Sequence, residues 1–178
     1  MQEVIPNLFI GDYAASQDVA ALEAEGIKAV VSASKLLPAL FSPAKLTSSA
    51  VRQPYDSSLS LHRIPVDDTS NTNIICHFQA ANDFIRAARA RGEGVLVHCQ
   101  AGVSRSTTIV CAYLMKEVGL NAEQAVEMVR AVRPEVDPTH AFLHQLEMYE
   151  RCEFEWDPVK VSHAPGRECA GAQLTCVA

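Results

Sequence analysis

The sequence predicts an α/β domain in which a small central, mostly parallel sheet is flanked by helices. Three observations lead to this fold class. Short β-branched runs alternate along the chain with stretches whose apolar residues recur at helical spacing. The elements follow the order strand, helix, strands, helix, strand and three helices, which favours helices layered on a sheet. The chain has 178 residues, 48% of them hydrophobic, which is enough for one compact domain with its own core.

The first half of the chain supplies most of the predicted sheet. Three runs have strand composition, at residues 8–10, 27–32 and 61–66. A short helix is predicted over residues 18–25 between the first two runs. Ser16 is a residue type that caps helix N-termini, and Gly26 is placed to end this helix.

Helices dominate the second half. Apolar residues at helical spacing predict an amphipathic helix over residues 74–91, which Gly92 ends. A buried strand is predicted at 95–97. The next stretch, 106–117, is apolar on most faces, which indicates a central, buried helix.

Two further helices complete the predicted domain. Asn121 and Gln124 have the spacing of a capping box at the start of the first, and Pro134 ends it. Asp137 and Pro138 open the last helix.

Two segments lack a regular pattern. Residues 35–60 are rich in Ser, Pro and Leu and form a longer connection than most in compact domains. We expect a functional or mobile loop, or an insertion, at this place. Periodicity is also lost towards the carboxyl end. The prediction is therefore one folded domain over residues 1–155 and a disordered or extended tail over residues 156–178.

Charge and hydropathy argue against several classes of function. The formal net charge of −6 disfavours nucleic-acid binding, and it requires any anion site to be built locally. No window approaches the roughly 18 consecutive apolar residues of a membrane span. The start of the chain lacks the features of a secretory signal, and no C-x-x-C pair suggests a zinc site. We expect a cytoplasmic or also nuclear protein without a bound metal.

The stretch VHCQAGVSRSTT, at residues 97–108, carries the predicted chemistry. Cys99 directly follows the buried strand, and the loop after it enters a helix. At such a turn the backbone N–H groups converge on one point, and Gly102 permits the sharp turn that this requires. Arg105 adds a planar fork of donors that matches two oxygens of a phosphate. The stretch therefore predicts a binding site for a phosphoryl group.

The same loop is expected to activate Cys99 as a nucleophile. The helix N-terminus, the converging N–H groups and Arg105 all stabilise a thiolate, and they lower the thiol pKa from its usual value of about 8.5. Attack on phosphorus would give a phosphocysteine, which water then hydrolyses. Ser106 is placed to donate a hydrogen bond to the sulfur as it leaves.

The neighbouring polar residues have less defined roles. The hydroxyls of Ser104 and Thr107 are expected to cap the helix. His98 either bonds to the loop backbone and fixes its shape or tunes the cysteine electrostatically, and we favour the first interpretation.

The run HCQAGVSRST resembles the H-C-x-x-G-x-x-R-S/T signature of cysteine-based protein phosphatases, and its AGVSRS part is similar to the dual-specificity subfamily. The resemblance covers about residues 4–152, and we expect no additional targeting domain, as in atypical members. It includes the segments IPNLFIGDYAAS, RIPVDD, AYLM, VRAVRPEVDP and FLHQLEMYE. The sequence departs from the family at Thr139, where many members have Asn, and in the length of residues 35–60.

The resemblance implies the cysteine-phosphatase fold and a protein phosphatase that acts on phosphotyrosine and on phosphoserine or phosphothreonine. It implies phosphorylated proteins as partners and no cofactor. Cys99, Arg105, Asp68 and Ser106 would be catalytic. Six residues would bind the substrate phosphate: Gln100, Ala101, Gly102, Val103, Ser104 and Arg105.

The family uses an aspartate on a separate loop as general acid. Residue chemistry alone leaves Asp67 and Asp68 open, because both lie in a loop after a strand. Similarity to the family pattern I-P-x-x-D places the acid at Asp68. That residue would protonate the leaving oxygen and later activate water.

Two functions are alternatives to a protein phosphatase. The first is a phosphatase for an inositide, a glucan or an RNA 5′ end. The neutral side chains of Gln100, Ala101 and Val103 argue against an inositide, and the net charge argues against RNA. The second is a catalytically inert module that binds phosphoproteins. Inert members usually lack the cysteine or the arginine, and both are present here.

Overall fold

The computed structural model describes residues 1–35 and 59–156. Most of the predicted loop or insertion at 35–60, and all but the first residue of the predicted tail at 156–178, lie outside the described residues. Trp156 is described, is 9% exposed and packs with the main core. The fold therefore continues one residue past the predicted boundary at residue 155.

A five-stranded, mostly parallel sheet forms the centre of the protein. In chain order its strands are β1 (Gln2–Ile5), β2 (Leu8–Gly11), β3 (Ile27–Ala33), β4 (Ser60–Ile64) and β5 (Gly94–His98). Their order across the sheet is β1-β2-β5-β3-β4. β1 pairs antiparallel with β2, and all other pairs are parallel. The predicted fold class is confirmed.

The helices pack around this sheet. They are α1 (Tyr13–Gln17), α2 (Val19–Ala24), α3 (Phe78–Ala90), α4 (Arg105–Val118), α5 (Ala122–Val132) and α6 (His140–Arg151). A 3₁₀ turn at Ile74–His77 precedes α3, so the helix predicted from residue 74 has a tighter first turn. The predicted capping box between Asn121 and Gln124 is present. α6 begins at His140, two residues after the predicted start at Pro138.

The pleat of the strands divides the core into two parts. Val95 and Val97 of β5 belong to the large cluster that includes residues of α3 to α6. Leu96 belongs to a smaller cluster on the other face, with Leu22 of α2. β5 is therefore buried on both faces, and its packing holds the start of the following loop in place.

The amino-terminal part contains two elements that the sequence analysis did not predict, β1 and α1. The predicted cap at Ser16 is wrong, because Ser16 lies inside α1 and its hydroxyl donates to the Tyr13 carbonyl at 2.7 Å. Asp18 caps α2 instead, where its carboxylate accepts from the Ala21 N–H at 3.0 Å. Elements of four and five residues are too short to show a hydrophobic period.

The parallel strands bring four connections to one edge of the sheet. Because β2, β3, β4 and β5 run in the same direction, their carboxyl ends share this edge. Asp12, Lys35, Asp68 and Cys99 each follow one of these strand ends within four residues. Ligands of open α/β sheets bind outside the carboxyl ends of the strands, so a binding site is expected at this edge.

Candidate active site

Cys99 leaves β5 and lies at the base of a loop, residues 99–105, here termed the signature loop. Its sulfur is 3.3 Å from the Ser106 hydroxyl oxygen, and the Gly102 N–H donates to it at 3.3 Å. The residue is 1% exposed, so the loop and the first turn of α4 enclose the sulfur from most sides. Two hydrogen-bond donors that suit a thiolate thus converge on this atom.

The surroundings of Cys99 favour the thiolate. Burial raises the pKa of its thiol, but several interactions in the loop together outweigh that effect. They are hydrogen bonds from the Ser106 hydroxyl and N–H, the charge of Arg105 and the Gly102 N–H. The pKa of Cys99 is therefore lower than that of an ordinary cysteine. Cys111 on α4 shows the contrast, since burial in the core strongly raises the pKa of its thiol.

The backbone of the signature loop is held from outside by four hydrogen bonds to successive carbonyl groups. Gln100 O accepts from Tyr13 N at 3.2 Å, Ala101 O from Arg133 Nη2 at 3.1 Å, Gly102 O from Arg133 Nε at 2.9 Å, and Val103 O from Asp137 N at 3.1 Å. In a trans peptide the N–H points opposite to the carbonyl of the same plane. The N–H groups of residues 101–104 therefore face the inside of the loop, where such a concave set of donors binds anions.

Gly102 is required at the tightest point of this loop. Its φ of +70° lies in the left-handed region that favours glycine. A Cβ atom at this position would lie 2.7 Å from the Gly11 carbonyl oxygen and 2.8 Å from Arg133 Nη2. Both the backbone conformation and the space therefore exclude a side chain.

Arg105 extends from the first turn of α4 to a second loop, residues 65–68, here termed the aspartate loop. Its Nη1 donates to the Val66 carbonyl at 3.2 Å, and its Nε lies 3.6 Å from Asp68 Oδ2. The side chain is 11% exposed. The guanidinium thus lies between the two loops and close enough to Cys99 to stabilise its thiolate.

The two candidate acids occupy different surroundings. Asp68 Oδ1 accepts a hydrogen bond of 2.7 Å from the Ser104 hydroxyl, and Oδ2 faces Arg105. The Asp67 carboxylate pairs with Lys35 Nζ at 2.6 Å, and both of these side chains are exposed. Of the two aspartates, Asp68 is the one that contacts the signature loop.

The predicted capping roles of Ser104 and Thr107 are wrong. Ser104 is the N-cap residue of α4, but its side chain makes no capping bond. Its hydroxyl instead donates to Asp68 and accepts from the Thr139 N–H at 3.4 Å. The Thr107 hydroxyl donates to the Val103 carbonyl at 2.7 Å. The Ser104 hydroxyl thus connects the signature loop to the aspartate loop and to Thr139. The Thr107 hydroxyl connects the signature loop to the first turn of α4.

His98 is buried, and its Nδ1 lies 3.3 Å from the Cys99 carbonyl oxygen. Burial lowers the pKa of its ring to about 4, against smaller opposing effects of that contact and of Asp12. The ring is therefore neutral at pH 7, which favours the structural interpretation over electrostatic tuning of the cysteine.

Arg133 contacts the signature loop, and the sequence analysis did not single it out. It follows α5 and bonds to two carbonyls of the signature loop. In the sequence it stands three residues after Arg130, whose side chain is 39% exposed and pairs with Glu127. No local pattern distinguishes the two arginines, because the contact that separates them spans 31 residues of sequence.

Within residues 1–35 and 59–156, no group of three or more His, Cys, Asp or Glu side chains is arranged to hold a metal ion. No helix within the same ranges has the length and apolar character needed to cross a bilayer. The groups brought together at the sheet edge are thus a cysteine whose thiolate form is stabilised, a concave set of N–H donors, a guanidinium and a carboxylate. This set matches the chemistry of phosphoryl transfer to sulfur.

Comparisons with known proteins agree with this chemistry. The family model described as "Dual specificity phosphatase, catalytic domain" matches residues 8–152. Tyrosine-protein phosphatase yvh1 of Schizosaccharomyces pombe is 33% identical over 157 residues, which cover 88% of this chain and 43% of yvh1. Human dual specificity protein phosphatase 15 is 36% identical over 153 residues, 86% of this chain and 45% of that protein. The chain thus spans about half the length of these curated relatives.

Solved structures share the fold over nearly their whole length. The human tyrosine phosphatase-like serine/threonine/tyrosine-interacting protein superimposes with a TM-score of 0.77 at 29% identity, covering 87% of this chain and 98% of that one. Human DUSP28 gives a TM-score of 0.74 at 27% identity, with coverage of 86% and 98%. Since the matched residues include both the signature loop and the aspartate loop, the chain belongs to the dual specificity phosphatase family.

Proposed function

We propose that this chain is a dual-specificity protein phosphatase that hydrolyses phosphotyrosine and phosphoserine or phosphothreonine through a phosphocysteine intermediate. The observation that carries the proposal is the Cys99 sulfur at the base of the signature loop, with the Gly102 N–H at 3.3 Å and Arg105 beside it. Membership of the family supports the same activity. Phosphorylated proteins are the proposed substrates, and the proposed reaction uses no cofactor.

In the first step the Cys99 thiolate attacks phosphorus. A sulfur–phosphorus bond forms while the bond from phosphorus to the substrate oxygen breaks. The N–H groups of the signature loop and the fork of Arg105 bind the three non-bridging oxygens, on which negative charge is concentrated in the transition state. Asp68 donates its proton to the leaving oxygen, so the product departs as a neutral phenol or alcohol.

In the second step water hydrolyses the phosphocysteine. The Asp68 carboxylate accepts a proton from water as the water oxygen attacks phosphorus, which restores the protonated acid. The sulfur–phosphorus bond breaks, and the electron pair returns to sulfur. The Ser106 hydroxyl, 3.3 Å from that sulfur, donates a hydrogen bond to the departing thiolate. Inorganic phosphate leaves, and the enzyme is ready for another cycle.

The first experiment measures turnover of para-nitrophenyl phosphate in the presence of a metal chelator. Wild type is expected to hydrolyse it, and Cys99→Ser is expected to be inactive because an alcohol is a far weaker nucleophile than a thiolate. Cys111→Ala removes the buried thiol of Cys111 on α4, which lies outside the signature loop, and serves as the control, which should keep its activity. Sustained turnover by Cys99→Ser would refute the nucleophile. A wild-type protein that binds vanadate without any turnover would instead favour the inert binding module.

The second experiment addresses the substrate class. Phosphotyrosine, phosphoserine and phosphothreonine peptides are compared with phosphoinositides, a phosphorylated glucan and RNA with a 5′ phosphate. We expect the phosphopeptides to give the highest kcat/KM, because the side chains of Gln100, Ala101 and Val103 add no positive charge for a polyanionic headgroup. A higher kcat/KM on any of the non-protein esters would replace proteins as the substrate.

A further inference from the structure

Arg133 lies behind the signature loop, and its guanidinium donates three hydrogen bonds, two of them to that loop. The residue is 6% exposed. Its Nε donates to Gly102 O at 2.9 Å, its Nη2 donates to Ala101 O at 3.1 Å, and its Nη1 donates to Gln2 Oε1 at 2.7 Å. One planar group thus connects the end of α5, the edge strand β1 and two adjacent carbonyls of the signature loop.

The two contacts of Arg133 with the loop backbone are shorter than its two contacts with acidic side chains. Glu135 Oε1 is 3.5 Å from Nη1, and Asp12 Oδ2 is 3.8 Å from Nη2. Both distances exceed those to the Ala101 and Gly102 carbonyls. A buried guanidinium is unfavourable unless its donors are satisfied, and here the loop carbonyls satisfy them. The arrangement therefore indicates a role in shaping the loop.

Peptide geometry connects Arg133 to the nucleophile. The Ala101 carbonyl and the Gly102 N–H belong to the same planar unit, as do the Gly102 carbonyl and the Val103 N–H. Holding the two carbonyls on the outside therefore turns the two N–H groups to the inside. The first of them donates to the Cys99 sulfur at 3.3 Å.

We propose that Arg133 is a positioning residue for phosphoryl transfer, an inference that rests on the proposed function. Its guanidinium fixes two successive peptide planes of the signature loop, and so aims the Gly102 N–H at the sulfur and the Val103 N–H at the phosphoryl group. It acts through the backbone, whereas Arg105 is proposed to bind the phosphate itself. The role needs an arginine, because a lysine ammonium is a single point of contact and cannot match two adjacent carbonyls with one rigid fork.

The test variant is Arg133→Lys, which keeps the charge and most of the packing. The pH dependence of Cys99 alkylation by iodoacetamide, followed by mass spectrometry of the Cys99 peptide, reports how well the thiolate is stabilised. Its midpoint is expected to move to higher pH, because the Gly102 N–H is no longer held on the sulfur. Vanadate affinity and kcat/KM for para-nitrophenyl phosphate are expected to fall by about tenfold to a hundredfold, as for other small misplacements of catalytic groups.

Arg130→Lys is the matched control. It makes the same chemical change one helical turn earlier on α5, at a side chain that pairs with Glu127 on the surface. Its alkylation midpoint, vanadate affinity and turnover should equal those of wild type. A folded Arg133→Lys protein with the wild-type midpoint and vanadate affinity would overturn the proposal, and so would an equal shift in both variants.

A measurement on the wild-type protein covers the case in which Arg133→Lys does not fold. Exchange of the arginine Nε–H with solvent can be followed by nitrogen-15 NMR. The Arg133 Nε–H should exchange much more slowly than that of Arg130, because it donates to Gly102 O in a buried position. Equal exchange rates would overturn the proposal. Alkylation and exchange need no turnover, so a wild-type protein inactive on every phosphoester would refute the proposed function without deciding the role of Arg133.

Discussion

The Ser104 hydroxyl donates a hydrogen bond of 2.7 Å to Asp68 Oδ1, and this bond ties the aspartate loop to the signature loop. The Ser104 hydroxyl oxygen also accepts a hydrogen bond of 3.4 Å from the Thr139 N–H, at the start of α6. One hydroxyl therefore connects three segments that are distant in sequence. It holds the Asp68 carboxylate over the loop that contains Cys99, where the proposed mechanism needs a proton donor.

Ser104→Ala should impair proton donation by Asp68 more than it impairs the nucleophile. Without the hydroxyl, Asp68 loses one of the contacts that hold it in place. We expect kcat/KM for phenyl phosphate, a poor leaving group, to fall by about tenfold, which is the scale of one hydrogen bond to a charged group. The loss on para-nitrophenyl phosphate should be smaller, since its leaving group needs less help from an acid.

The control for this prediction is Thr108→Val. The Thr108 hydroxyl donates to the Ser104 backbone carbonyl at 2.9 Å and is buried on the same helix, but it does not contact Asp68. This variant should keep the wild-type ratio of activities on the two esters. An equal loss on both esters in Ser104→Ala would mean that the hydroxyl does not serve the acid.

Asp68→Asn and Asp67→Asn should have very different effects. If Asp68 is the general acid, its amide cannot donate the required proton, and turnover of phenyl phosphate should fall by about a hundredfold or more. Asp67→Asn breaks only an exposed ion pair with Lys35, which contributes about 1 kcal/mol or less to stability. Steady-state kinetics on both esters checks this pair of variants. A larger loss in Asp67→Asn would reverse the assignment.

The parts of the site that sequence patterns predicted are those that are local in sequence. The turn from β5 through Cys99 and Gly102 into α4 spans adjacent residues, so residue types and spacing were enough to indicate an anion site. The role of Ser104 depends on Asp68, 36 residues away, and the contacts of Arg133 with Gly102 span 31 residues. Local spacing contains no information on such pairs, and a capping role for Ser104 was therefore the natural but wrong prediction.

The same distinction applies to the fold. Helices of 11 to 14 residues, such as α3, α4 and α5, display enough turns for their apolar faces to be visible in the sequence. β1 has four residues, all of them partly or fully exposed, and it is defined by antiparallel pairing with β2. Its existence depends on tertiary contact, which explains why the sequence did not indicate it.

Gly102→Ala should abolish activity and lower stability more than a glycine substitution elsewhere. The left-handed backbone alone costs about 1–2 kcal/mol for an L-residue. At Gly102 the new Cβ would also meet the Gly11 carbonyl oxygen at 2.7 Å, so the backbone must shift. Gly119→Ala is the control, because its φ is +81° but nothing lies within 4 Å of the added atom.

Urea unfolding and turnover measure both variants. Gly119→Ala should lose only the conformational cost and keep its activity, whereas Gly102→Ala should lose more stability and all detectable turnover. A Gly102→Ala protein as active as wild type would show that the signature loop does not need its observed close approach to β2.

His98 should make stability depend on pH in the acidic range. Burial lowers the pKa of its ring to about 4 in the folded protein, whereas an unfolded histidine titrates near its ordinary value of 6.5. Between these values the unfolded chain binds a proton that the folded protein does not bind. Stability is therefore complete above the unfolded pKa and is lost as the pH falls towards about 4. Linkage gives a loss of about 2 kcal/mol between about pH 7 and about pH 5.

The measurement is urea unfolding of wild type and His98→Asn at these two pH values. Burial also lowers the pKa values of His62 and His77, but both residues are retained in the variant, so the difference between the two proteins isolates His98. His98→Asn will be less stable at neutral pH if the buried ring packs well, yet its further loss on acidification should be about 2 kcal/mol smaller than that of wild type. If both proteins lose the same free energy, His98 is not held neutral by burial, and electrostatic tuning of Cys99 by a charged ring becomes the better interpretation.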